Sequence, residues 1–97
     1  MRANDATQTL ESVLSASGLT LDEFRSPDRS QPLFFARMVY ANLRHRQGAK
    51  TTEIGREINR NHTSVSRMLM MHDIDFKCTP AYAELYRTVD NKLIPAV

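Results

Sequence analysis

The sequence predicts an all-α fold of about six helices forming a single domain over residues 1–97. Apolar residues recur at helical spacing in segment after segment. No segment alternates with period two over a useful length, and runs of β-branched residues are absent. Glycine, proline and small polar residues fall where helices would start and stop. A chain of 97 residues supports one small core. With 41% hydrophobic and 25% charged residues it has the composition of a globular domain rather than a disordered chain.

Residues 1–9 are expected to be a frayed start. Leu10, Val13 and Leu14 share a face, which predicts a first helix over Ala6 to Ser17, stopped by Gly18. Thr20 and Glu23 have capping-box spacing for a short second helix, with Leu21 and Phe24 facing inward. Residues 26–31 are rich in turn formers. Pro32 suits the first position of a third helix, which runs to about Gln47 and buries Phe35, Met38, Val39 and Leu43 before Gly48. Thr51 or Thr52 is expected to cap a short fourth helix carrying Ile54 and Ile58. Asn59, Arg60 and Asn61 break the pattern. A fifth helix then starts near His62, with Asn61 as its cap, and buries Val65, Met68, Leu69 and His72. Thr79 caps a sixth, with Pro80 at its first position and Tyr82, Leu85, Tyr86 and Val89 along its face.

The single cysteine, Cys78, rules out an internal disulfide framework and suits a reducing compartment such as the bacterial cytoplasm. The first 14 residues lack the apolar run of a signal peptide, and no stretch approaches the roughly 20 apolar residues of a membrane helix. No membrane partner is expected. The formal net charge is only +2, but it is unevenly distributed. Residues 1–30 carry three arginines against five carboxylates, a net of −2. Residues 37–67 carry Arg37, Arg44, Arg46, Lys50, Arg56, Arg60 and Arg67 against Glu53 and Glu57, a net of +5. A basic segment of this kind concentrates a polyanion, although a solvated helix surface would look the same.

Two short helices joined by a three- or four-residue break describe a helix-turn-helix. Its second helix opens with Asn61, His62, Thr63 and Ser64, at the turn from which a recognition helix meets the major groove. Asn can pair with adenine on two edges, and Thr and Ser can donate or accept. The Thr methyl can also touch a thymine methyl. Exposed backbone N–H groups of the same turn attract phosphate. The structural alternative for Asn61 is that it only caps the helix.

"EIGREINRNHTSV" resembles the signature of the C-terminal DNA-binding domain of DnaA, the bacterial replication initiator, which reads roughly E-I-G-x-x-F-G-G-R-D-H-T-T-V. Glu53, Ile54, Gly55, Arg60, His62, Thr63 and Val65 match. "ARMVYANL" resembles that family's upstream helix, "LESVLSASGLTLDEFRSPDRS" its opening helices and basic loop, and "AELYRTVDNKL" its closing helix. The resemblance thus covers Leu10 to Leu93. It implies a Trp-repressor-like bundle that binds double-stranded DNA at initiator-box-like sites, in replication-origin binding or in control of replication or transcription, in the bacterial cytoplasm and associated with the nucleoid. A replication or regulatory protein would be a further partner. The resemblance also implies that His62 and Thr63 contact base edges, that Asn61 and Ser64 stand at contact positions with altered chemistry, and that Arg37 reaches the minor groove. Lys50, Thr52 and Arg60 would hold phosphate, and Arg67 completes the candidate DNA-binding set. The sequence departs from the family in three ways. The Gly-Gly pair is here the single Asn59, Asp is replaced by Asn61, and the Arg37 alignment requires a one-residue deletion near Gly48, without which Ala36 takes that position.

No enzymatic activity, cofactor or nucleotide partner is expected. The three glycines form no phosphate-binding loop, and the single cysteine and three histidines give no zinc spacing. Met68 to His72 could hold a soft metal, but packing explains them better. Gly55, in mid-helix, is expected to mark a close approach between helices. Two other functions are compatible with the sequence: a protein-interaction module that kept the fold without DNA binding, and a DNA-binding subunit for a separate ATPase.

Overall fold

The computed structural model describes residues 5–93 and is all-helical over them. Six helices follow in order: α1 (Asp5–Ser17), α2 (Leu21–Arg25), α3 (Gln31–Arg46), α4 (Thr51–Ile58), α5 (His62–Cys78) and α6 (Pro80–Leu93). Residues 1–4 of the start expected to fray lie outside the described residues. Residues 5–9 are already in α1, and Thr9 is fully buried.

α3 is the central helix, in contact with all five others or their connecting turns. Six consecutive residues, Ala36 to Ala41, are buried on it, so no outward stripe remains to give it a clear period. Its core partners are Val13, Phe24, Ile54, Ile58, Val65, Met68, Tyr82 and Val89. The Phe24 and Tyr40 rings meet edge to face at 5.7 Å.

Several boundaries differ from expectation. α3 begins at Gln31, so Pro32 is its second residue. Lys50, not a threonine, is the N-cap of α4, and its backbone N–H donates to the Glu53 carboxylate at 3.2 Å. A lysine side chain has no acceptor, so only this half of a capping box exists. The Thr79 hydroxyl donates back to Asp75 at 3.0 Å instead of capping α6. Leu21 faces solvent because the one-turn α2 has a single inward position, taken by Phe24. Phe35, Leu69, His72 and Leu85 are half-buried at the edge of the core.

A polar network ties the fourth helix to the rest. Arg44 binds Glu57 through two nitrogens, each at 3.0 Å, and the Tyr40 hydroxyl donates to the same carboxylate at 2.8 Å. Arg44 also donates to Gln47, whose amide reaches Thr9. Burial pushes the Glu57 carboxyl up, but the Arg44 and Tyr40 hydrogen bonds and the charges of Arg44 and Arg56 outweigh it and hold the group below its ordinary value.

Candidate nucleic-acid interface

α4 and α5 pack against each other across a three-residue turn, 59–61. Asn59 takes the left-handed conformation, with φ of 59°. The Arg60 N–H then returns to the Gly55 carbonyl at 2.8 Å, and the Asn59 N–H returns to Arg56. This pair of bonds is a Schellman closure. A β-carbon on Gly55 would lie 2.4 Å from the Arg60 carbonyl oxygen. Glycine is therefore required by the turn itself and not, as expected, by a close approach between helices. A single asparagine closes the turn because Asn tolerates the left-handed region better than other side chains, and its amide also donates to the Arg25 carbonyl at 3.1 Å.

The turn delivers α5 with its first residues outward. Asn61, His62 and Thr63 are exposed and Ser64 is half-buried. The Asn61 side-chain oxygen accepts from the Ser64 N–H at 2.8 Å, and the Asn61 carbonyl accepts from Val65. The cap is thus made. The N–H groups of His62 and Thr63 remain available at the positive end of a 17-residue helix. Arg67 lies one turn further on and is exposed. Lys50 and Thr52, also exposed, stand at the far end of α4, about 12 Å of helix away.

Arg37 is placed differently from its expected role. It is 1% exposed, and its guanidinium donates to the carbonyls of Phe24, Asp28, Glu23 and Ser26 at 2.6–3.2 Å. It holds the α2–α3 loop against the core and does not reach outward toward a groove. Desolvation and then the nearby Arg60 charge lower its pKa, against a weaker opposing pull from Asp28. Ala36, the alternative in that alignment, is fully buried. Arg60 is only half-buried and also donates to the Ser26 carbonyl, at 2.7 Å.

No family model, no curated protein and no solved structure matches this chain.

Two cations join the set that the sequence did not single out. Arg29, in the α2–α3 loop, lines a cleft with Arg60, Ser64 and Arg67. Arg56 is exposed on α4. Charge counted along the chain assigned Arg29 to the acidic third. Its position in "SPDRS", the segment resembling the family's basic loop, was the one available signal. Among the described residues no group of three or more His, Cys, Asp or Glu side chains could hold a metal ion, and no helix is long and apolar enough to cross a membrane.

Proposed function

We propose that this chain binds double-stranded DNA in a sequence-dependent way, with α5 as the recognition helix in the major groove. One observation carries the reading: the α4–turn–α5 pair presents Asn61, His62 and Thr63 at an exposed helix start, between cations at Lys50, Arg56, Arg60 and Arg67. Side chains at that turn meet base edges, and the flanking cations meet phosphates. His62 and Thr63 carry the base contacts. Asn61 acts first as a cap, because its amide oxygen is already used, and Ser64 lies deeper beside Arg67. The resemblance to the DnaA C-terminal domain supports initiator-box-like sites, and with them a role in replication or transcription control at the bacterial nucleoid.

Selection from a random duplex pool tests this. Recovery of one enriched motif, lost with His62→Ala or Thr63→Ala at preserved thermal stability, is the expected result. An unenriched pool overturns the proposal. It would favour the protein-interaction reading, for which Met70 and Ile74, one turn apart and 78% and 67% exposed on α5, offer an apolar contact.

A further inference from the structure

The cleft beside α5 has a chemistry that the DNA reading does not exhaust. Its volume is about 340 Å³, and it lies between the α2–α3 loop, the start of α3 and one face of α5. Four arginines line it, Arg29, Arg37, Arg60 and Arg67, and no carboxylate does. The nearest loop carboxylate, Asp28, is turned to its own backbone, accepting from the Ser30 N–H at 2.8 Å. Arg37 is buried at the base with carbonyl partners only, so its charge meets no carboxylate in direct contact. Arg60 shares one of those carbonyls and adds a second positive charge next to the first. Among the described residues, no side-chain hydrogen bond or ion pair engages the guanidinium of Arg29 or Arg67, whereas those of Arg37, Arg44 and Arg46 are engaged. The remaining lining is soft and apolar: Phe34, Met68 and Met71.

Four guanidinium charges, offset only in part by Asp28, around a partly apolar recess select an anion with an apolar body. Guanidinium forks match phosphate oxygens, and a phenyl ring with two thioethers suits a flat heterocycle. The volume falls within the range of roughly 300–1,000 Å³ typical of small-molecule sites. We propose that this cleft binds a small phosphate ester of mononucleotide type, with Arg29, Arg60 and Arg67 on the phosphate and Phe34, Met68 and Met71 against the base. The sequence shows no phosphate-binding loop because the site is assembled from the α2–α3 loop, the turn and α5, which meet only in the fold. Arg60, Ser64 and Arg67 belong both to the cleft and to the candidate DNA surface, so such a ligand competes with duplex. The site itself does not depend on the duplex reading.

The methionines provide the test. Met68 and Met71 line the cleft, Met70 faces solvent and Met38 is in the core, so methyl-labelled methionine spectra report all three environments. Adenosine monophosphate should shift the Met68 and Met71 methyls saturably, with a Kd below about 1 mM, and leave Met70 and Met38 in place. Inorganic phosphate alone should bind more weakly. Arg29→Gln should weaken the mononucleotide at least fivefold with the Met38 signal unchanged, and Arg87→Gln, an exposed cation on α6, should not. Competition with duplex, or retention of mononucleotide binding by a protein that binds no duplex, both support the site; the second defeats the proposed function alone. Met68 and Met71 shifts with duplex but not with adenosine monophosphate would return the cleft to the DNA surface and overturn the proposal. Equal shifts at Met70, or equal losses in Arg29→Gln and Arg87→Gln, would overturn it as unspecific attraction.

Discussion

Replacing Arg37 by alanine withdraws the donors from four carbonyls and opens a gap where a fully buried side chain stood. Urea unfolding of Arg37→Ala should show a loss of roughly 3 kcal/mol. Arg37→Lys should recover less than half of it, because one ammonium cannot reach oxygens placed around a planar fork. A surface DNA contact would instead leave stability within about 0.5 kcal/mol of wild type. His72 is another residue whose chemistry burial alters. Its Nδ1 is 2.6 Å from the Tyr82 hydroxyl, and its ring lies 4.8 Å from that of Tyr86. Desolvation lowers its pKa from the ordinary 6.5, with Asp73 opposing and Arg46 assisting. The unfolded chain therefore takes up the proton first. The stability contributed by neutral His72 is complete above pH 6.5 and is lost as pH falls through the lowered folded value. Thermal unfolding from pH 8 to pH 5 should show wild type losing stability more steeply than His72→Gln.

At the scale of the element, the α4–α5 turn is defined by backbone closure and a cap. Gly55→Ala adds helix propensity worth about 1 kcal/mol, but the new methyl meets a backbone oxygen that cannot rotate away. The net should be destabilising by about 1–3 kcal/mol. Duplex affinity should also fall, because relief of the clash moves Arg60 and the start of α5. Equal or higher melting temperature for Gly55→Ala would show that the turn yields freely. Asn61 separates cap from base reader: Asn61→Ala should cost about 1 kcal/mol in unfolding free energy, and Asn61→Asp almost nothing. If Asn61→Asp also shifts base preference at one position, Asn61 reads a base in addition to capping. An even loss of affinity across sequences leaves readout to His62 and Thr63.

The elements were legible wherever sequence and local physics agreed. Capping at Thr20–Glu23 and at Asn61, the stops at Gly18 and Gly48, and the break at 59–61 are short-range chemistry, and the structure has each of them. α3 was harder to read by periodicity because it is buried nearly all round. Lys50 as a cap was illegible because only its backbone takes part. Arg37 turns inward, against the role the resemblance implied for it, while Arg29 lines the cleft. Which arginine turns inward depends on carbonyls 9–14 residues away, and that is a property of the packed loop.

At the scale of the whole molecule, the cations divide into two sets. The cations at Lys50, Arg56, Arg60 and Arg67 gather around α4 and α5 with Arg29 beside them, while Arg37, Arg44 and Arg46 are engaged internally. With four or five phosphates neutralised, log K for duplex binding against log[salt] should have a slope of about −4. A slope near zero would remove the electrostatic surface from the account. The shared Ser26 carbonyl has a dynamic consequence. Arg37 from the central helix and Arg60 from the turn both donate to it. The loop cannot swing open without releasing both arginines, and the turn cannot move without disturbing the loop's anchor. The hydrogen-bonded backbone amides of Phe24, Ser26, Asn59 and Arg60 therefore belong to one cooperative opening unit and should show a common opening free energy in hydrogen exchange, although about 30 residues of chain lie between the two segments.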